Sequence, residues 1–299
     1  MRRIIVTVTL LIIAGLALVY ATGADQIVQL WALEGQRAAQ TGIAQALRAL
    51  RAGEPAALIG VLTVCFAYGF FHAVGPGHGK LLIGGYGVAA RIGAVRLSLV
   101  ALVSSLAQAA TAIALVGAGL WLWGWGRAQM TDLAEQVFVP LSFAAIAAIG
   151  LWLAGRGLRS MRRAAAHGPM QDADTPQACT TCGHAHAPTP DDLARATSWR
   201  DVAALIAAVA LRPCTGALFL LILTAQMGIF QIGVAGTLAM ALGTASVTVA
   251  VALTSVTLRR GALAGLTEWG ALARAQPAIE IGVGALIAVI AGQLALAAL

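Results

Sequence analysis

The sequence predicts an all-α, polytopic membrane protein with about seven transmembrane helices. Composition is the first observation behind that prediction. Of 299 residues, 60% are hydrophobic and only 10% are charged, where a soluble domain carries about 25% charged residues. A chain so poor in polar side chains cannot clothe a water-facing surface of this size. Second, apolar runs of roughly 20 residues, the length that crosses a bilayer, recur along the chain. Third, the net charge of +7 comes mainly from Arg residues placed in the connections between those runs. Positive charge in short loops reports membrane topology, and no nucleic-acid partner is expected.

The first candidate span is Ile4 to Tyr20, behind Arg2 and Arg3. Its apolar stretch is long for a signal-peptide core, so residues 1–22 are expected to be an N-terminal transmembrane anchor, with a signal peptide cleaved near Ala24 as the alternative. Residues 23–55 include Asp25, Glu34, Arg37, Arg48, Arg51 and Glu54, and are expected to form a periplasmic amphipathic helix on the membrane surface. The second span runs from about Ala56 toward Val88, interrupted at Gly75-Pro76-Gly77. The third covers Leu97 to Trp123 and the fourth Val137 to Gly155; the long polar loop from Arg156 to Arg200 follows. The fifth covers Asp201 to Gln226, the sixth Ile229 to Leu258 and the seventh Pro277 to Leu299.

With seven spans, the arginine-rich segments all share one side. Arg2 and Arg3 precede span one, Arg91 and Arg96 follow span two, and Arg156, Arg159, Arg162, Arg163, Arg195 and Arg200 follow span four. Arg259, Arg260 and Arg274 follow span six. The positive-inside rule makes this side the cytoplasm, with the N-terminus inside and the C-terminus outside. Trp121, Trp123 and Trp125 then fall at an outer boundary, as an interfacial aromatic belt.

The chain also divides into two related halves. Aligning Pro76 with Pro213 places Gly79 on Gly216, Leu81 on Leu218, Ile92 on Ile229 and Thr111 on Thr248. The expected units are a first three-helix membrane repeat at residues 56–155, a cytoplasmic Cys/His loop at 156–200 and a second repeat at 201–299. Three spans per unit invert the second copy. Inverted repeats with helices broken near the midplane are a feature of transporters.

The break in span two carries the chemistry. It reads His72-Ala-Val-Gly75-Pro76-Gly77-His78-Gly79-Lys80. Proline removes a donor and glycine is permissive, so an ideal helix does not continue through this stretch. The freed backbone groups must be satisfied within the protein or a water-filled cavity. Two imidazoles flank the break, and neutral imidazole suits nickel, cobalt, copper and zinc. The alternative is a pair of hydrogen-bonded packing histidines beside a kink; intramembrane ionisable groups favour the functional reading. Lys80 either snorkels to the cytoplasmic interface or sets the charge of the site.

This motif resembles that of the NicO-type nickel/cobalt permeases, which include the nickel/cobalt efflux proteins. Arg212-Pro213-Cys214-Thr215-Gly216 in span five is similar to that family's second motif. The resemblance covers spans two to seven. It implies a secondary transporter in the bacterial cytoplasmic (inner) membrane that moves divalent nickel or cobalt, most often outward. His72 and His78 carry over as metal-path residues, and Gly75, Pro76, Gly77, Gly79, Lys80, Pro213 and Gly216 as the rest of the transport motif. Related uptake permeases have an aspartate just before the second histidine. Gly77 stands there in this chain, with no acid between the histidines, which argues against an uptake carrier. Many efflux members have a long histidine-rich loop, and the loop here is modest.

That loop holds His167 and the cluster Cys179-Thr-Thr-Cys182-Gly-His184-Ala-His186. Two thiolates and two imidazoles can supply a tetrahedral set for zinc, nickel or cobalt, to capture metal or sense its load. Cys214 is weighed as a soft ligand facing the two histidines or as a small buried residue, and Cys65 as core. Glu280 is expected near the cytoplasmic end of span seven, paired with an arginine, with proton coupling as the alternative. Gln108, Thr111, Thr244, Ser246 and Thr248 are expected to bond helix to helix or help close packing. No prosthetic group and no enzymatic activity are expected. The expected partners are divalent metal ions and the lipid bilayer, with homo-oligomerisation left open. The competing function is a membrane thiol–disulfide electron-transfer protein using Cys65 and Cys214. A metal sensor without transport is a third reading, though it would not need a broken helix.

Overall fold

The computed structural model describes residues 22–75, 93–166, 199–264 and 269–298, and among them the protein is helical with no strand. The elements are α1 (Ala24–Arg51), α2 (Ala57–Val74), α3 (Ala94–Leu122), α4 (Arg127–Leu133), a π turn (Ala134–Phe138) that leads into α5 (Val139–Ala166), α6 (Trp199–Ala210), α7 (Thr215–Gln226), α8 (Phe230–Ala264) and α9 (Trp269–Ala297). Five helices are long and apolar enough to cross a membrane, and α6 with α7 makes a sixth span bent by 56°. These six coincide with spans two to seven of the sequence reading. The first expected span, residues 1–20, lies outside the described residues. Span four starts earlier than expected, because α4 and the π turn extend it back to Ala128.

Exposed Leu99, Leu141, Leu151, Leu242, Leu253 and Leu286 stud the outer faces of the bundle, as lipid contact requires. Without a hydrophobic drive between helices in lipid, close backbone approach through small residues holds such bundles together. Two crossings show it. Gly69 of α2 lies against the Met240 backbone of α8, while Gly243 of α8 lies against the Phe66 carbonyl and the Phe70 amide. A Cβ at Gly150 of α5 would stand 2.7 Å from the Ala288 nitrogen, and one at Gly284 of α9 2.6 Å from the Ala154 nitrogen.

The pairing pattern has a symmetry. α5 packs along α9, α3 along α8, α2 along α8, and α3 against α6 and α7. Exchanging spans two, three and four with five, six and seven maps these pairings onto one another, whereas the packing of α7 on α8 and of α5 on α6 has no counterpart of comparable extent among the described residues. The two ends of the bundle also agree with alternating crossings. Trp121 at the end of α3 meets Phe230 at the start of α8, with ring centroids 4.9 Å apart. Gly157 near the end of α5 meets the Pro277 carbonyl of α9.

The broken span separates two hydrophobic cores. Leu205, Ala208 and Val209 of α6 pack with Leu97, Val100, Phe143, Ala252, Val256 and Ile287. Leu218, Leu220 and Leu221 of α7 pack instead with Val61, Cys65, Tyr68, Val116, Met130 and Met240. The non-helical residues 211–214 therefore sit at the waist between the cores.

Residues 24–51 form a helix, α1, but it packs antiparallel along the length of the span-forming α2 and does not lie across the membrane surface as expected. Ala39, Ile43 and Leu47 are buried in the same core as Val61 and Tyr68. Gly42 faces Val64, and Gly35 faces the Phe71 ring. Gly53 at φ +76° and Ala56 at φ +65° turn the chain from α1 into α2.

Candidate metal-transport site

α2 stops at Val74, two residues before Pro76, and α6 stops at Ala210, three residues before Pro213. The reason is common to both. The ring of a proline disfavours helical geometry in the residue before it and offers no donor to the preceding turn. The two halves thus break at the positions that the proline alignment pairs.

The break in span five is satisfied by its neighbours. Gln108 Nε2 of α3 donates to the Arg212 carbonyl at 3.2 Å. Ser142 Oγ of α5 donates to the Ala208 carbonyl at 3.1 Å. The Arg212 guanidinium lies 4.9 Å from the centre of the Phe143 ring, a cation–π contact that holds its charge against α5. Freed carbonyls inside a bilayer need such partners, and here two adjacent spans supply them.

Pro213 and Gly216 are buried and Cys214 is half-buried. Cys214 precedes the first turn of α7, near the Gly216 and Ala217 amides, without a capping hydrogen bond. Gly216 lies directly on the Tyr68 ring of α2; any side chain at 216 would occupy the ring's place. Tyr68 in turn stacks on His72, with centroids 6.0 Å apart and planes 8° apart. Residues four apart share one helix face, which is why these two rings meet. Tyr68 therefore connects the second motif to the first histidine, a role that single-sequence reading did not single out. Its position four residues before His72 was the available signal.

His72 is in the last turn of α2 and exposed. The last-turn carbonyls of a helix and its negative dipole end are favourable to a cation. One of those carbonyls, Phe71, accepts from the Gly75 amide at 3.1 Å. Pro76, Gly77, His78, Gly79 and Lys80 lie outside the described residues, as do His167, Cys179, Cys182, His184 and His186. Among the described residues, no three His, Cys, Asp or Glu side chains converge as a ready metal cage.

Cys65, Thr111, Thr244, Ser246, Thr248 and Glu280 occupy packing, hydrogen-bonding or ion-pair positions. Cys65 and Cys214 are both free thiols, and Cys65 is fully buried. The Cys65 sulfur would stand 3.0 Å from a Cβ at Gly236, within the α2–α8 contact. Thr244 Oγ1 donates across helices to the Gly69 carbonyl at 3.2 Å. Thr111, Ser246 and Thr248 bond to carbonyls of their own helices. Glu280 pairs with Arg156, as the sequence suggested.

A set of apolar helices with a span broken at its waist, its breakpoint carbonyls satisfied by neighbouring spans, defines a multi-pass membrane protein of the transporter class. The chain matches the NicO family, described as high-affinity nickel-transport protein, over residues 58–178 and 175–298. It belongs to that family. It is also 28% identical over 194 residues to a Haemophilus influenzae protein named "Putative nickel/cobalt efflux system", covering 60% of this chain and 60% of that relative. The match thus spans less than two thirds of the relative's length. No solved structure matches the chain.

Proposed function

We propose that this protein is a secondary transporter that carries Ni2+ or Co2+ across the bacterial cytoplasmic membrane, in the outward direction. The observation that carries the reading is the contact of the second motif with the first: Gly216 lies on Tyr68, and Tyr68 stacks on His72. Two segments broken at aligned prolines therefore meet through one side chain. The relative named as an efflux system and the glycine at position 77 both favour export.

In this reading the metal sheds part of its water at the broken helices and takes imidazole nitrogen from His72 and His78 in exchange. Carbonyls at the end of α2 add oxygen ligands, and Cys214 is a candidate soft ligand from the opposite repeat. An intermediate-strength, partly open set suits transport, because the ion must leave as readily as it enters. Arginine-rich connections place the His78–Lys80 end and the loop at 156–200 in the cytoplasm. The loop cysteines and histidines then collect nickel, cobalt or zinc for delivery or sensing. The pairings that the exchange of halves preserves, α5 with α9, α3 with α8, and α2 with α8 as α3 with α6 and α7, support two inverted three-helix units.

Intracellular nickel and cobalt in cells expressing the wild type, His72→Ala or His78→Ala test this. The wild type should lower both metals or one of them, and each variant should lose the effect. Equal accumulation in all strains would remove the efflux assignment, and higher accumulation with the wild type would reverse its direction.

A further inference from the structure

We propose that Tyr68 is a positioning residue of the transport site: its hydroxyl, held by Gln36 of α1, fixes the ring on which the His72 imidazole is stacked. This rests on the transport reading above and gives helix α1 a part in it.

Tyr68 is 2% exposed and among the largest fully buried side chains of the described residues. Gln36 Nε2 donates to its hydroxyl at 3.3 Å. Thr215, in the first turn of α7, is also within hydrogen-bonding reach of that hydroxyl. One face of the ring is closed by Gly216, where no side chain intervenes. Three elements thus converge on one phenol: α1 through Gln36, α2 through its own backbone, and α7 through Thr215 and Gly216.

Packing alone would be served by phenylalanine here, so the hydroxyl calls for a separate account. A buried tyrosine hydroxyl keeps its partner because losing it strands a polar group in an apolar region. With its face closed by Gly216 and its tip tied to Gln36, the ring cannot turn. The imidazole lies nearly parallel to it, with centroids 6.0 Å apart, so the held phenol bounds one side of the space in which the His72 nitrogens are set. A ligand held in orientation loses less freedom when the ion arrives, which appears as affinity. α1 has the sequence of a surface helix, with exposed Glu34, Arg37, Gln40, Gln45 and Arg48. Its half-buried Gln36 is the point where it reaches the site.

The full-length protein in proteoliposomes, with Co2+ and Ni2+ as the transported ions, supplies the test. The variants are Tyr68→Phe, Gln36→Leu and the double variant, with wild type and His72→Ala alongside. Each single variant should raise the KM for metal about three- to tenfold, as expected for one lost orienting hydrogen bond, with the maximal rate kept within about twofold. The double variant should be no worse than Tyr68→Phe alone, because that single change already removes the Gln36 bond along with the reach to Thr215. An unchanged KM, additive effects, a fall in maximal rate at constant KM, or only a smaller yield of folded protein would each overturn the proposal. Absence of metal flux in the wild type would instead defeat the transport reading. Flux in the wild type, lost in His72→Ala but with KM unaltered in Tyr68→Phe, would defeat the positioning role alone.

Discussion

Arg156 holds Glu280 through two parallel hydrogen bonds, Nε to Oε2 at 3.2 Å and Nη2 to Oε1 at 3.0 Å. The pair ties span four to span seven, one from each proposed repeat. It lies beside the close approach of Gly157 to Pro277, and the Arg156 guanidinium also sits 5.0 Å from the centre of the Trp152 ring. Bidentate geometry makes this a strong form of ion pair. The Glu280 side chain is 8% exposed and that of Arg156 27%, so removing one partner leaves a charge that water only partly solvates.

Glu280→Ala should therefore lower stability by about 1–3 kcal/mol, below the full cost of breaking a wholly buried pair because Arg156 retains some solvent. Thermal unfolding of the detergent-solubilised protein would register the change. The exchanged pair Arg156→Glu with Glu280→Arg should recover part of the loss. Wild-type stability in Glu280→Ala would show that the pair carries no net stabilisation.

The glycine crossings make a sharper contrast. Gly69→Leu or Gly150→Leu would drive a side chain into the backbone of the opposing helix, with no flexible neighbour to yield. Both should abolish or strongly reduce folded protein in the membrane. Gly282→Ala and Gly292→Ala meet nothing within 4 Å, and should leave folded protein unchanged or slightly increased, since alanine favours the helix by about 1 kcal/mol. Quantitative size-exclusion profiles of the four variants would separate the two groups.

The partners of the broken fifth span give a third prediction. Gln108→Leu strands the Arg212 carbonyl in the bundle, a loss of about 1–3 kcal/mol. Ser142→Ala likewise strands the Ala208 carbonyl, because the Arg212 amide that would bond it in a continued helix turns to Val209 instead, and it should cost a similar amount. Urea or heat denaturation would measure both, and Gln108→Glu should not restore the wild type, since an ionised carboxylate cannot donate.

For the loop, Cys179→Ser with Cys182→Ser should weaken Zn2+, Ni2+ and Co2+ binding to the full-length protein while transport at saturating metal persists. Equilibrium dialysis measures the first and vesicle flux the second. Cys65→Ala should likewise keep most transport, because its thiol is a packing group against Gly236; complete loss would favour thiol chemistry.

Much of this protein is legible in its sequence. Apolar runs and sparse charge announced the spans, because crossing a bilayer constrains every residue of a segment in the same direction. The prolines at 76 and 213 announced the breaks, because a missing amide acts locally whatever the tertiary setting. Glu280 could be given an arginine partner because an intramembrane acid demands one, although the choice of Arg156 could not be made.

The rest depended on contacts between distant residues. Helix α1 reads as a surface element by its charges, yet its buried stripe of Ala39, Ile43 and Leu47 found a match on α2. Gln108 and Thr244 were ordinary polar residues in apolar spans until their acceptors, Arg212 and Gly69, were known. Nothing local distinguishes Tyr68, because a tyrosine in an apolar run has the composition of core. Sequence by itself determined the membrane class, the breaks and the candidate metal-binding residue types, all of which follow from local chemistry. Only the tertiary structure decided that Gly216 would lie on Tyr68 and Tyr68 on His72, because that depends on two helices far apart in the chain packing closely enough for one ring to serve both.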